Sequence, residues 1–305
     1  MKTEARHDAT RDLDVRPPEA TLAAIVDGQA AAIEAVRAAL PALTEAARGI
    51  EARIARGGRL IYAGAGTSGR VAVQDAAELP PTFGFDRTVV LLAGGAEAGS
   101  AAREGAEDDR DAAAKDVADA AVGPDDALLG IAASGATPYT REAVRRARER
   151  GAFTVAIANN PDAPLLGEAD VGVLLDTGPE VLTGSTRMAA GTAQKAALNA
   201  LSTVVLVRSG GAYENLMVGM RPVNDKLRAR AARIVTDATG AEEATARAAL
   251  NACGDRIRDA IVVVRTGLDP VEARRRLEAA GERVRVVLEQ AGARPRPPEP
   301  PGRPR

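Results

Sequence analysis

The chain has 305 residues, enough for one large α/β domain plus a small appendage. Hydrophobic residues make up 46% of it but aromatic residues only 2%, so small aliphatic side chains must build the core. Forty basic and 42 acidic residues leave a net charge of -2, which argues against the basic face that nucleic-acid binding needs. The single cysteine, Cys253, excludes an internal disulfide and a cysteine metal site, and a lone His7 argues against a zinc site or a histidine-dependent triad.

The N-terminal segment carries no sign of a membrane or secretion signal. No hydrophobic run in the chain is long enough to span a bilayer, and residues 1–14 lack the apolar core of a signal peptide. We therefore expect a cytoplasmic protein. Residues 1–20 are predicted to form a flexible arm, because core-forming side chains are few there. Apolar residues at helical spacing from about Thr21 to Arg56, broken near Pro41, predict two helices that lead into the main domain.

Five short β-branched runs, separated by helical stretches, predict the sheet. Apolar strands that alternate with helices indicate an α/β fold with a doubly wound parallel sheet covered on both faces. The first three runs end in glycine or small hydroxyl residues, and open α/β sheets bind ligands at that carboxyl edge. The five runs are 59–66, 88–95, 127–135, 153–159 and 170–176.

The remainder of the chain predicts a long helix, a small helical domain and a tail. An amphipathic segment from about Ser185 to Arg208 is expected to pack across the main domain, which we assign to residues 21–226. Residues 227–291 are predicted to form a small C-terminal helical domain, and residues 292–305, rich in proline and arginine, a disordered tail. The short helical blocks of 227–291 are separated by Gly240, Gly254, Gly267 and Gly281.

The segment GAGTSG (64–69) matches the G-x-G-x-x-G pattern between a strand and a helix, which is the dinucleotide-binding context. Dinucleotide binding also requires an acidic residue at the end of the second strand. That run ends in glycine, and Glu97 comes slightly late for the role. The loop offers instead Gly66, Thr67 and Ser68, whose N–H groups and hydroxyls can surround one phosphate at a helix N-terminus.

Two further loops repeat this chemistry. Ser134 and Thr137 follow the third predicted strand, and Ser185 and Thr186 stand at the beginning of the long predicted helix. Any one of these clusters could consist of ordinary turn and N-cap residues. Three of them together suit a single phosphomonoester better than a pyrophosphate, so the sequence predicts a phosphate site.

Five long segments carry a family resemblance. In chain order they are similar to the signature segments of the N-acetylmuramic acid 6-phosphate etherase family, and the similarity runs from about residue 10 to about residue 290. The segments are RLIYAGAGTSGR (59–70), DAAELPPTFG (75–84), GIAASGATPYT (130–140), PEVLTGSTRMAAGTAQKAALNALST (179–203) and ENLMVGMRPVNDKLRARAARIV (214–235).

The resemblance implies the sugar isomerase (SIS) fold, a homodimer, and cleavage of the D-lactyl ether of N-acetylmuramic acid 6-phosphate. The products would be N-acetylglucosamine 6-phosphate and D-lactate, in the recycling of cell-wall peptidoglycan. The resemblance implies no metal or organic cofactor, and its partner is a small amino-sugar phosphate rather than nucleic acid or a membrane. The region 227–291 resembles a small three-helix module of the family, in which we find no chemistry.

Breaking an ether requires a base and an acid, because an alkoxide is a poor leaving group. Opening the sugar ring exposes an aldehyde at C1 that acidifies the C2 proton. A base removes that proton, lactate leaves C3 with a proton from an acid, and water then adds to the double bond. Carboxyl groups in a partly buried cleft suit both proton transfers, because burial raises their pKa values towards neutrality.

Three glutamates are candidates for this work. By resemblance Glu78 is the catalytic glutamate that protonates lactate and later activates water. Because Pro80 disfavours a helical conformation at the preceding residue, we expect Glu78 at a helix end facing the cleft. Glu107 matches the second active-site glutamate and is the expected C2 base, although its acidic neighbours leave open a solvated acidic face. Glu180 lies where related isomerases place a C2 base, and it could share or take that role.

The sequence departs from the family pattern at three positions. Leu79 stands where the family usually has cysteine, so that thiol is not required. Ala136 replaces a common arginine and Ala190 a common lysine, and we expect the loss of these two charges to weaken phosphate affinity or alter sugar preference.

Two other functions remain open at this point. A non-catalytic sensor of sugar phosphates, like the glucokinase regulatory protein, would contain two SIS domains, and this chain has room for one. An aldose–ketose isomerase would use the same phosphate site without the Glu78–Glu107 pair. The presence of both glutamates favours the etherase.

Overall fold

The computed structural model describes residues 1–101 and 103–293, which form two compact units. Unit 1 comprises Met1–Glu78 and Asp86–Val205, and unit 2 comprises Leu79–Phe85 and the chain from Leu206 onward. This division differs from the predicted boundary between residues 226 and 227. The reason is packing within unit 2. Gly219 lies so close to Phe83 that a Cβ on the glycine would stand 2.3 Å from the Phe83 carbonyl oxygen, so residues before 227 already pack in this unit. Residues 294–305 of the predicted tail lie outside the described residues.

Unit 1 contains a parallel sheet of five strands in the order β2-β1-β3-β4-β5. Each of the five predicted runs forms a strand, and the doubly wound parallel sheet is confirmed. β1 pairs with β2 on one side and with β3 on the other. The strand order therefore reverses between β1 and β3, and such a reversal creates a crevice at the carboxyl edge of the sheet. The strands are β1 (Leu60–Gly64), β2 (Thr88–Leu92), β3 (Ala127–Ala132), β4 (Phe153–Ala158) and β5 (Val171–Leu174).

In the described part of unit 1, seven α-helices accompany these strands. The first two confirm the predicted N-terminal pair, and Pro41 occupies the first turn of the second, where a missing N–H costs nothing. Small residues let the layers approach: a Cβ on Gly130, inside β3, would lie 2.3 Å from a methyl carbon of Val144. The helices are α1 (Pro18–Ala38), α2 (Leu40–Ile54), α3 (Gly66–Phe83), α4 (Arg110–Asp119), α5 (Pro138–Glu149), α6 (Pro164–Glu168) and α7 (Ala189–Leu206), of which α3 and α7 continue into unit 2.

The N-terminal segment is held to unit 1, in contrast to the flexible arm that its composition predicted. It folds into short 3-10 turns, and Thr3 is fully buried. The Thr3 N–H donates to the side chain of Asn160, whose amide nitrogen donates back to the Thr3 hydroxyl at 3.0 Å. Further along, the Thr10 hydroxyl donates to the carbonyl of Val181 at 2.9 Å. These bonds fix the segment against loops that follow β4 and β5.

Unit 2 is helical, as predicted, with a small two-stranded antiparallel ribbon, β6 (Ala212–Tyr213) and β7 (Leu216–Met217). Its described part has five helices from residue 225 to 290, not the three that the resemblance implied. Gly240 and Gly267 end two of them with φ of 76° and 72°, a left-handed conformation that glycine adopts without strain. The helices are α8 (Asp225–Thr239), α9 (Glu243–Ala252), α10 (Ile257–Thr266), α11 (Pro270–Ala279) and α12 (Val284–Gln290).

Across residues 1–101 and 103–293, every helix is too short or too polar to cross a membrane.

A part-buried ion pair between Arg59 and Asp126 joins the amino ends of β1 and β3. The Asp126 carboxylate accepts hydrogen bonds from the backbone N–H of Arg59 and Gly123, and from the Arg59 guanidinium at 2.7 Å. Burial raises the pKa of Asp126, but the hydrogen bonds from Arg59 and Gly123 outweigh burial, so the pKa lies below its ordinary value of 3.8. A depressed pKa stabilises the folded state above the ordinary value, and this stabilisation is lost as pH falls through the folded pKa.

We expect Asp126→Asn to lower the free energy of unfolding by about 1–3 kcal/mol near pH 7, because it removes a charged acceptor from three donors. Urea unfolding at about pH 7 and about pH 3 measures this loss, which should shrink at the lower pH as the wild-type carboxylate becomes protonated. The control is Asp125→Asn, which breaks an exposed pair with Arg56 and should cost about 0–1 kcal/mol. Equal losses at both pH values would show that the charge of Asp126 contributes nothing.

Candidate active site

The turn between β1 and α3 is shaped by close contact between two glycines. A Cβ on Gly69 would lie 2.3 Å from a Leu92 methyl carbon and 2.9 Å from the carbonyl oxygen of Gly64. Gly66 has a φ of 54°, in the left-handed region. The first turn of α3 therefore sits directly on the end of β1. The N–H groups of that first turn have no carbonyl partner within the helix, and they stand at the carboxyl edge of the sheet.

The second hydroxyl cluster lies beside this turn. β1 and β3 are paired, with Gly64 opposite Ile131, so the loops that follow the two strands are neighbours at the crevice. The Ser134 hydroxyl accepts a hydrogen bond from the Ala136 N–H at 3.1 Å, which sets the loop conformation. Thr137 stands at the N-cap of α5, and its side chain makes no capping hydrogen bond there.

The third cluster also approaches the turn after β1. A Cβ on Gly191, in α7, would lie 3.3 Å from the Thr67 methyl carbon and 3.3 Å from the carbonyl oxygen of Thr186. Thr67 and Thr186 therefore both lie against Gly191. All three predicted hydroxyl clusters lie on one edge of the sheet, and two of them adjoin the same glycine. This arrangement can surround one phosphate with hydroxyl and N–H donors.

Glu180 holds the first turn of α7. Its side chain is buried, with 1% of the residue exposed, and its two oxygens accept from the N–H groups of Ala189 and Ala190 at 2.9 Å each. A carboxylate in this place satisfies N–H groups that lack helical partners and is favoured by the helix dipole. The contact fixes the helix that follows Ser185 and Thr186. Proton transfer by Glu180 stays a prediction.

Glu78 does not lie at a helix end, and that expectation is wrong. α3 continues through Pro80 and Pro81 as far as Phe83, so Glu78 lies inside the helix. A proline disfavours helical geometry at the preceding residue without forbidding it, and the cost here is the loss of two N–H donors from the last turns. Glu78 is exposed in the single chain, so the predicted burial of this carboxylate is absent from it.

Glu107 lies in a short 3-10 turn, Ala106–Asp108, on the connection between β2 and α4. It is also exposed. The nearby Asp109 caps α4 by accepting from the Ala112 N–H at 2.8 Å, so a helix cap accounts for one of the adjacent acidic residues. Because β2 is next to β1, Glu107 comes from the side of the crevice nearest to Thr67 and Ser68.

Two features near the site were missed by sequence reasoning. The first is Asp75, which is buried with 2% exposed. Its position could have been recognised in the sequence, because Asp75 is spaced along α3 with Ser68, Ala72 and Leu79 on the side of the helix that faces the core. The N-terminal segment reaches the third cluster: a Cβ on Gly184 would lie 3.1 Å from a carboxylate oxygen of Glu4. No periodic pattern marks that contact. In the described part of the chain, no three His, Cys, Asp or Glu side chains are grouped to hold a metal ion.

Known proteins resemble the chain in sequence along most of its length. Residues 42–147 match the glucokinase regulatory protein N-terminal SIS domain, and residues 109–204 match the SIS domain. The N-acetylmuramic acid 6-phosphate etherase of Deinococcus radiodurans is 52% identical over 266 residues, 87% of this chain and 87% of that protein. The etherases of Streptomyces avermitilis and Symbiobacterium thermophilum are 46% and 51% identical, covering 87% and 75% of this chain and 86% and 77% of theirs.

Solved structures show weaker likeness. A phosphoheptose isomerase from Neisseria gonorrhoeae is 20% identical with a TM-score of 0.46, over 61% of this chain and 97% of its own.

Because Glu180 caps α7, removing the charge of its side chain should lower the stability of the protein. In Glu180→Gln one oxygen becomes an amide donor facing an N–H group, so we expect the free energy of unfolding to fall by about 1–3 kcal/mol. Urea unfolding measures it, with Glu107→Gln as the control, because neutralising an exposed side chain should change stability by no more than about 0.5 kcal/mol. If the two variants are equally stable, the cap does not hold α7.

Proposed function

Because this chain belongs to the N-acetylmuramic acid 6-phosphate etherase family, we propose that it cleaves the lactyl ether of N-acetylmuramic acid 6-phosphate. The products are N-acetylglucosamine 6-phosphate and D-lactate, and the enzyme is a carbon–oxygen lyase. The observation that carries the proposal is the convergence of hydroxyl-bearing turns at one sheet edge, in a chain 52% identical to a named etherase.

The phosphate binds at the turn after β1 in this proposal. The first-turn N–H groups of α3 and the hydroxyls of Thr67 and Ser68 donate to its oxygens. Ser134 and Thr137 from the loop after β3, with Ser185 and Thr186 before α7, complete the set of hydroxyls. Hydrogen bonds from hydroxyl and N–H donors are directional, so they orient the bound phosphate and fix the position from which the sugar extends.

The chemistry is divided between Glu107 and Glu78. With the ring open, Glu107 takes the C2 proton, the C3–O bond breaks with its electron pair going to the lactyl oxygen, and Glu78 gives that oxygen a proton. Water then adds to the resulting double bond: Glu78 takes a proton from the water as its oxygen attacks C3, and Glu107 returns a proton to C2. Glu180 has both oxygens engaged by N–H groups, which supports Glu107 as the base.

We propose that Glu78 serves the site of a second copy of the chain. Glu78 lies twelve residues after Gly66 in α3, which places it about 18 Å along the helix from the phosphate-binding turn. Five bonds separate phosphorus from C3 of the sugar, at most about 7.5 Å at about 1.5 Å per bond. To meet Glu78 of the same chain, the sugar would have to fold back along α3, away from the carboxyl edge.

A homodimer would supply the second copy. The outward face of α1 exposes Leu22, Val26 and Ile33, with 63%, 67% and 50% of each residue accessible. Large aliphatic side chains aligned on one helix face are typical of surfaces that another chain covers. This apolar face supports dimerisation through unit 1.

We propose a cytoplasmic location and a place in the recycling of peptidoglycan sugars. A phosphorylated substrate and a chain with one cysteine, the buried Cys253, suit a reducing compartment.

Turnover in isotopically labelled water tests the activity and the two carboxylates. We expect wild type to release D-lactate from N-acetylmuramic acid 6-phosphate and to place labelled oxygen at C3 of the product. Glu78→Gln should release lactate about 10²–10⁴ times more slowly, because it lacks the acid. Glu107→Gln should also lose exchange of the C2 proton, and the control Glu45→Gln, exposed on α2, should match wild type. A folded wild-type chain that binds the sugar phosphate without releasing lactate would contradict the etherase.

Mixed dimers test whether Glu78 acts across the dimer. Ser68→Ala combined with Thr67→Val damages the phosphate turn, and Glu78→Gln damages the acid, so each variant alone should be nearly inactive. In trans, the mixed dimer has one intact site out of two. Random mixing makes half of the dimers mixed, so about one quarter of wild-type activity should return. Sedimentation first establishes the dimer; no recovery on mixing would place Glu78 in the site of its own chain.

A further inference from the structure

A buried hydrogen-bond network centres on Asp75, three residues before Glu78 on α3. The Tyr62 hydroxyl, at the centre of β1, donates to one Asp75 oxygen at 2.7 Å. The Asn199 amide nitrogen donates to the other oxygen at 2.7 Å and the Ser202 hydroxyl at 3.2 Å. Asn199 and Ser202 both lie on α7. One carboxylate thus joins a central strand and two helices of unit 1.

The direct donors to the Asp75 carboxylate, which is 2% exposed, are a phenol, an amide and a hydroxyl, all of them neutral. Lys195 joins the network one step away, where its ammonium group donates to the Asn199 amide oxygen. Burial, with the nearby Asp75 charge, raises the pKa of Tyr62 well above its ordinary value of 10.0, which keeps that hydroxyl a donor. Burying a charge without a direct counter-ion costs free energy, and the loss of any one donor would leave more of that cost uncompensated.

The two helices that Asp75 joins carry different parts of the site. α3 begins with Thr67 and Ser68 and carries Glu78, and α7 follows Ser185 and Thr186. Along α3, Asp75 lies about 4.5 Å from Glu78 but about 10.5 Å from Ser68. The phosphate-binding end has its own restraint in the contact between Gly64 and Gly69. A change at Asp75 should therefore move Glu78 more than the phosphate-binding turn.

We propose that Asp75 is a positioning residue for the departure of lactate: its bonds to Tyr62, Asn199 and Ser202 fix the rotation of α3 and so the place of the Glu78 carboxyl. This inference rests on the proposed function and deepens it. Asp75 touches no reacting atom in this account. It acts only on the step that uses Glu78, the protonation of the lactyl oxygen, and leaves removal of the C2 proton to Glu107.

The test separates those two steps. In deuterated water we measure D-lactate release and, in recovered substrate, deuterium at C2. Asp75→Ala should slow lactate release by about 10²-fold, the cost of misplacing a catalytic group by about 1 Å. Removal of the C2 proton continues, so the ratio of C2 deuterium to lactate rises as it does in Glu78→Gln. KM should change by no more than about threefold, since the phosphate turn keeps its own restraint.

Three further variants keep the test decisive if Asp75→Ala folds poorly. Asp75→Asn keeps an oxygen for Asn199 and Ser202 and should recover much of the lost rate. Asn199→Ala cuts only the tie to α7 and should shift the ratio in the same direction, by less. The control Asp116→Ala removes the acceptor of a comparable bond from Tyr139 elsewhere in unit 1 and should leave the ratio unchanged.

A double variant tests whether Asp75 acts through Glu78. If Asp75 acts through Glu78, adding Asp75→Ala to Glu78→Gln should slow lactate release no further, because the two changes damage one step. Exchange and release that fall in equal proportion, or effects that multiply in the double variant, would overturn the proposal and leave Asp75 a structural residue. A wild-type chain with neither exchange nor lactate release would instead overturn the proposed function.

Discussion

The contact between Gly64 and Gly69 is the constraint on which the rest of unit 1 depends. With no Cβ on either residue, the first turn of α3 can rest on the end of β1, and a Cβ on Gly69 would stand 2.9 Å from the Gly64 carbonyl oxygen. The contact aims the free N–H groups of α3 at the crevice where the strand order reverses. It also fixes where α3 starts, and thus where every later residue of that helix, Glu78 included, is placed.

Buried carboxylates carry that constraint outward from the turn. Glu180 accepts from two N–H groups of α7, and Asp75 joins α7 to α3 and to β1. The hydrogen bonds that these two carboxylates accept come from neutral groups with fixed directions. Such bonds contribute modest net stability, but they have fixed directions, and a core of small aliphatic residues has few other means of fixing helix rotation.

The sequence predicts the sheet well because five apolar runs, each flanked by turn residues, leave little alternative to a parallel sheet. The hydroxyl clusters were predictable for a related reason, since they directly follow strands or begin a helix. Glu78 was misplaced because the effect of Pro80 on its neighbour is a preference that packing overrides. The bond from Thr3 to Asn160 spans 157 residues, and a contact between two isolated polar residues leaves no periodic signal.

The two catalytic candidates, Glu78 and Glu107, are not enclosed in the single chain. A carboxyl group that donates a proton near neutral pH needs surroundings that disfavour its charge, and open water does not provide them. Glu78 and Glu107 are both exposed in one chain, while Leu22, Val26 and Ile33 leave an apolar face of the same unit uncovered. One association would remedy both: a second copy that covers apolar surface can also enclose the carboxylates. In such a dimer Asp75 would matter most, because a carboxyl group presented to another chain would have to be held rigidly by its own.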